Sequence, residues 1–124
     1  YGGGKGRLKA MNVQIFGKKK CFDTQKAERF FKERRVNFQS IDMVSKGMSK
    51  GELESVARAV GLRNLIDTAS PLYKAKNLDR ITTPAMITEI LLENPKLIKT
   101  PVVRNGQKAT LGYVPEVWEE WMKA

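Results

Sequence analysis

The sequence predicts an α/β fold: a mixed four-stranded sheet with flanking helices, and a helical insertion between a β-α-β half and a β-β-α half. Three observations predict it. Near the N-terminus the hydrophobic period switches from two to 3.6 and back to two. The middle of the chain is punctuated by helix start and stop signals. Towards the C-terminus an Asn-Gly pair sits between two short apolar runs, and one more amphipathic stretch follows.

In residues 12–16, Val13 and Ile15 alternate with polar Gln14, a short strand. Gly17 and the run Lys18-Lys19-Lys20 then lead to Cys21. From Asp23 onward, Ala27, Phe30, Phe31 and Arg34 share one helical face, with polar Gln25, Lys26, Glu28 and Arg29 between them. Asp23 or Thr24 caps this helix by accepting from its free amides, and Asn37 marks the exit. Residues 38–43 read as the second strand, and the helical crossover makes the two strands parallel. Residues 49–97 are mostly helical. Ser49 and Glu52 have capping-box spacing ahead of the stripe Leu53, Val56, Ala57 and Val60, and Gly61 stops it. Pro71 starts a shorter segment with Leu72 and Tyr73. Thr83, with Pro84 at the first helical position, opens a helix carrying Met86, Ile87, Ile90 and Leu91, ended near Asn94-Pro95. The helical insertion thus covers about residues 46–98.

After Pro101, Val102 and Val103 lead to Asn105-Gly106, two residues that tolerate positive φ, and residues 109–111 form the return strand. Val114-Pro115-Glu116 begins the closing helix, with Val117, Trp118 and Trp121 on one side and both tryptophans as core anchors.

A chain of 124 residues suits one domain with a modest core. Residues 1–10, Tyr-Gly-Gly-Gly-Lys-Gly-Arg-Leu-Lys-Ala, read as a flexible or appended tail before a natural start at Met11. They lack the apolar stretch of a signal peptide, so a single domain over 11–124 and a cytoplasmic location are expected. No apolar run approaches the roughly 18 to 20 residues that span a bilayer. One cysteine cannot form an internal disulfide. The absence of histidine removes Ser-His and Cys-His nucleophile pairs and leaves no metal site to expect. Net charge is +10; without the positive charges of Lys5, Arg7 and Lys9 it is still +7. Such a surface favours anionic partners. The charge is scattered and no recognition motif accompanies it, which argues against nucleic acid.

Cys21 stands between the first strand and the first helix. A helix N-terminus offers unpaired amides and the positive end of the dipole, so a thiolate there is stabilised. The three preceding lysines add positive charge, and the same groups could hold an oxyanion. A lone free cysteine is commonly a small buried hydrophobe, but this position after three lysines is a poor core site. Thr24 stands where a Cys-x-x-Cys motif would place its second thiol, so any redox turnover needs an external thiol.

The stretch from Val13 through Gly17-Lys18-Lys19-Lys20-Cys21-Phe22-Asp23-Thr24 to Ala27 resembles the opening of the glutaredoxin-linked arsenate reductases and their relatives, including Spx-type regulators and the YffB group. Asn94-Pro95-Lys96-Leu97-Ile98-Lys99-Thr100-Pro101-Val102-Val103 is similar to that family's second signature, and Gly112-Tyr113 also matches many members. The resemblance covers residues 11–124. It implies a thioredoxin-like fold with Cys21 as catalytic residue and a cis Pro101, preceded by Thr100, beside it. It also implies places where family arginines grip an oxyanion: the position before the proline, here Thr100; one in the helical block, here Asp67; and one near the hairpin's end, at about Leu111 to Gly112. Without those forked donors, efficient arsenate reduction is not expected. Lys18, Lys20, Thr24, Lys99 and Arg104 are the candidate substrate- or anion-binding residues.

The function these residues imply is a thiol-dependent oxidoreductase acting on a small oxyanion or disulfide. No cofactor is bound; glutathione is a co-substrate, or a glutaredoxin-like protein is the reductant. The alternative implied by the resemblance is an Spx-like regulator that binds RNA polymerase.

Overall fold

A computed structural model describes residues 12–123. The tail expected over 1–10, and the start at Met11, lie outside the described residues. The chain forms strand β1 (Val13–Gly17), helix α1 (Phe22–Glu33), β2 (Phe38–Asp42), α2 (Lys50–Val60), α3 (Pro71–Ala75), α4 (Pro84–Glu93), β3 (Val102–Asn105), β4 (Lys108–Leu111) and α5 (Pro115–Met122). Short 3-10 turns lie at Arg63–Leu65 and Pro95–Leu97. The sheet order is β2-β1-β3-β4, with β1 parallel to β2 and both other pairings antiparallel. This is the mixed, thioredoxin-like sheet with flanking helices that the changes of period predict.

The two central strands are buried on both faces, and their alternation divides the core. Val13, Ile15 and Val103 pack with Ala27, Phe30 and Phe31 of α1 and Trp118 and Trp121 of α5. Phe16 and Val102 point the other way, into a larger cluster with Leu53, Val56, Ile87 and Leu91 of α2 and α4. Each side chain of this size, fully withdrawn from water, contributes about 1.5–3 kcal/mol. Trp118 also satisfies its polar atom: Nε1 donates to Thr110 Oγ1 at 2.8 Å, both within the core. The capping box at Ser49 is present in both directions, with Glu52 N donating to Ser49 Oγ at 3.2 Å and Ser49 N to Glu52 Oε1 at 3.0 Å. Gly61 closes that helix at φ +95, where a side chain would be strained.

Several local expectations shift. Helix α1 begins at Phe22 with Cys21 itself at the cap position, extended at φ −87 and ψ 114, and no side chain caps it. Asp23 and Thr24 already belong to its first turn. The best capping residues therefore do not cap; Cys21 holds the cap position, with no side-chain bond to the helix amides. Arg34, expected on the apolar face, is exposed, with its guanidinium 3.8 Å from the centre of the Phe30 ring and an ion pair to Glu119 at 3.4 Å. Met86 and Val117 also face solvent, because each sits about 100° around its helix from a neighbour, Ile87 or Trp118, that takes the core. The hairpin turn is Gly106-Gln107 rather than Asn105-Gly106, since Asn105 pairs with Lys108; Gly106, at φ +62, makes the reversal alone.

Candidate functional site

The loop from β1 to α1 is held by local bonds. Cys21 N donates to Lys18 O at 3.0 Å, Cys21 O accepts from Gln25 N at 3.2 Å, and Gln25 Nε2 donates to Lys19 O at 3.3 Å. Lys18 Nζ reaches across to Lys96 O at 3.1 Å, joining the loop to the segment ahead of β3. That segment contains the cis peptide bond Thr100-Pro101. Cys21 Sγ lies 3.6 Å from Thr100 O and is partly buried. Two segments nearly eighty residues apart in sequence thus meet at the sulfur, because β1 and β3 are neighbours in the sheet.

Burial pushes the Cys21 thiol up. It is outweighed by the Thr100 and Thr24 side chains and by the Thr24 and Asp23 amides, and the thiol lies below its ordinary value. The contact to Thr100 O is one that a protonated thiol donates into, and by itself it favours the neutral form. The groups at the helix start favour the anion, and the balance falls on their side.

Thr24, in the first turn of α1, is 6% exposed, and its Oγ1 has no hydrogen-bond partner. It is packed on Gly17: a Cβ built there would lie 2.2 Å from Thr24 Cγ2 and 2.6 Å from Oγ1. Gly17 is therefore required by the close approach of α1 to β1 rather than by its own backbone angles. The signal for it is a glycine at the end of a strand, which commonly marks such an approach.

An open cleft of about 790 Å³ lies over the sulfur. Of the residues expected there, Lys18, Cys21, Lys99 and Thr100 line it. Thr24 is not in the cleft; it lines a separate pocket with Gly17, Lys19 and Ser40. Lys20 faces a separate groove, and Arg104 is not brought to the cleft at all. Arg104 lies three residues beyond Pro101, about 10 Å along an extended strand, where it pairs with Gln14 and donates to its Oε1 at 2.7 Å. Asp23, Asn64 and Asp67 complete the cleft's polar lining and were not singled out as binding residues by the sequence pattern. Asp67, Thr100, Leu111 and Gly112, the positions at which the resemblance implied arginines in the family, all border the cleft. Its charged lining is two lysines against two aspartates, a balanced surface rather than an anion trap.

The profile of the ArsC family matches residues 16–121. An arsenate reductase of Haemophilus influenzae is 36% identical over 77 residues, 59% of this chain; the match spans 66% of that relative, just under two thirds of its length. The global transcriptional regulator Spx of Streptococcus pyogenes is 22% identical over 105 residues, covering 82% of this chain and 78% of that protein. Among solved structures, an arsenate reductase from Vibrio cholerae superposes with a TM-score of 0.80 at 26% identity, covering 90% of this chain and 98% of that one.

Proposed function

The chain belongs to the ArsC family, and from that premise we propose that it is a thiol-dependent oxidoreductase with Cys21 as its single nucleophile. One observation carries the reading. The sulfur stands at the cap of α1, partly open to a cleft, in surroundings that favour its anion and 3.6 Å from the carbonyl preceding Pro101.

In the proposed cycle the Cys21 thiolate attacks one sulfur of a disulfide substrate. A new S–S bond forms to Cys21, the substrate's S–S bond breaks, and the departing thiolate leaves with the electron pair and takes a proton from solvent. A glutathione thiolate then attacks the sulfur bound to Cys21, releasing Cys21 as thiolate. A second glutathione resolves the resulting mixed disulfide. The substrate disulfide is reduced by two electrons and two glutathione thiols become one disulfide. Thr24 supplies no second thiol, so the reductant must come from outside the chain.

Arsenate is a poor fit to this cleft. The positions corresponding to the family's arginines hold Thr100, Asp67, Leu111 and Gly112; none offers a forked cation, and Asp67 repels an oxyanion. Lys18 and Lys99 remain as point charges, and Lys18 is already bonded to Lys96 O. The test is glutathione-coupled turnover of a panel that includes arsenate and a glutathione mixed disulfide, with Cys21→Ser as control. Disulfide turnover that disappears in the variant, with only trace arsenate reduction, is the expected result. A thiol pKa at or above the free value near 8.5, with no coupled turnover of any compound, would overturn the assignment.

The likeness to Spx supports a second reading, a regulatory protein that binds RNA polymerase. Thr24 would deprive it of a disulfide toggle. A pull-down that retrieves no polymerase subunit sets this reading aside.

A further inference from the structure

The sulfur's cleft carries charges of both signs that do not neutralise one another. Lys18, Asp23, Asp67 and Lys99 all line it, and among the described residues none of the four is in an ion pair. Asp67 and Lys99 come from segments bound side by side. Asp67 N donates to Leu97 O at 2.7 Å and Lys99 N to Leu65 O at 2.8 Å, on either side of the Ile66–Ile98 bridge. The carbonyl that meets Cys21 Sγ belongs to the next residue, Thr100, so both charges are placed relative to the sulfur by the backbone. Asp67 is half-buried, and one of its carboxylate oxygens is fixed by Ala69 N at 3.1 Å; the other accepts no hydrogen bond among the described residues. Beside it, Asn64 Nδ2 donates to Val60 O at 2.7 Å, which leaves Asn64 Oδ1 as a further acceptor on the cleft. Lys99 is exposed on a flexible stem.

We propose that the cleft selects the disulfide of an α-amino-acid thiol, with the ammonium group on Asp67 and Asn64 and the carboxylate on Lys99. The proposal rests on the oxidoreductase reading above and adds its substrate class. A ligand of one sign fits less well: an oxyanion faces both aspartates, and a simple cation faces both lysines. A neutral disulfide leaves all four charges without a partner. A zwitterion meets both signs at once, and its two charges sit on one carbon, close to the sulfur that reacts. The Cys21 thiolate attacks one sulfur of this disulfide. A new S–S bond forms to Cys21, the substrate's S–S bond breaks, and the departing amino-acid thiolate takes the electron pair and then a proton from solvent. The ammonium group beside the departing sulfur lowers that thiol's pKa, and such a thiolate leaves faster. Two glutathione thiols then regenerate Cys21 and become one disulfide, as in the cycle above.

The experiment uses the full, reduced chain and measures by mass spectrometry how fast Cys21 forms a mixed disulfide with each of four small disulfides. Cystine carries both charges on each half, cystamine only the ammonium, dithiodipropionate only the carboxylate, and hydroxyethyl disulfide neither. Each rate is divided by that of the same disulfide with free mercaptoethanol, which removes intrinsic reactivity. Cystine should then lead, roughly tenfold ahead of hydroxyethyl disulfide. Asp67→Asn, which keeps an oxygen for Ala69 N, should cut the cystine-to-hydroxyethyl ratio roughly threefold and lower the cystamine ratio with it. Lys99→Gln should cut the cystine ratio similarly and lower the dithiodipropionate ratio instead. Asp79→Asn, the same change of net charge at an exposed position outside the cleft, should leave every ratio as in wild type. If hydroxyethyl disulfide leaves Cys21 unmodified, the oxidoreductase reading fails and the substrate class falls with it. If hydroxyethyl disulfide reacts but cystine has no lead, or Asp79→Asn shifts the ratios as much as Asp67→Asn, the oxidoreductase reading stands and the substrate class is overturned.

Discussion

Thr24→Val is the sharpest probe of the site. Valine has the shape of threonine, so the packing against Gly17 and the start of α1 are retained and only the hydroxyl is lost. That hydroxyl is buried without a hydrogen-bond partner. It finds its best acceptor when Cys21 is ionised, because a sulfur anion accepts far more strongly than a thiol. A hydrogen bond to a charged group is worth about 1.5–3 kcal/mol, and the lower end suits a sulfur only partly withdrawn from water. About 1.5 kcal/mol corresponds to roughly a tenfold loss in the ionisation constant of the thiol. The assay is the rate of iodoacetamide alkylation as a function of pH. Thr24→Val should react roughly tenfold more slowly than wild type at neutral pH and equally fast at alkaline pH, where both sulfurs are ionised. Thr24→Ser should restore the wild-type curve. Thermal stability of the valine variant should be unchanged or slightly higher, since an unsatisfied buried hydroxyl has been removed. Superimposable alkylation profiles for all three proteins would refute the reasoning.

Other outcomes follow from the same geometry. The folded thiol lies below its ordinary value, so its ionisation adds stability at pH above the free value, and this is lost as pH falls through the folded value. The urea-unfolding difference between wild type and Cys21→Ser should therefore widen in favour of wild type from mildly acidic to mildly alkaline pH. Gly17→Ala forces a methyl to within 2.2 Å of Thr24 Cγ2, on a β-branched side chain that cannot swing clear. It should cost about 1–3 kcal/mol in denaturant unfolding and slow Cys21 alkylation as the helix start shifts. Thr100→Arg combined with Asp67→Arg puts two forked cations on the cleft and removes one carboxylate. Arsenate should then protect Cys21 from alkylation at concentrations that leave wild type unprotected.

Much of the site's chemistry is legible before folding. A cysteine at a strand-to-helix junction can be found from period alone, and so can its proximity to a helix dipole, because both are properties of neighbours in sequence. The Thr100-Pro101 partner came from resemblance; no local rule joins residues seventy-nine positions apart. The capping reading went astray at Asp23 and Thr24 for an instructive reason. Propensity ranks side chains by how well they cap, whereas α1 starts where its packing on β1 places it, and that leaves Cys21 at the cap. Lys20 and Arg104 were grouped with the sulfur on charge, but a strand sends its charge away at about 3.3 Å per residue, and a loop residue can face either side.

What the amino-acid order determined by itself is what short-range physics governs: alternation in the strands, the apolar stripes of the helices, the capping box at Ser49, the tryptophan anchors, and a thiol with no second thiol in reach. What only the tertiary structure decided is which distant groups surround that thiol. Lys18 and Lys99 share its cleft while Lys20 does not, Asp67 and Asn64 arrive from the helical block, and Gly17 makes room for Thr24. The reason is geometric. Periodicity tells which face a residue occupies, but the pairing of β1 with β3, and the packing of helices on the two faces of the sheet, decide what that face meets.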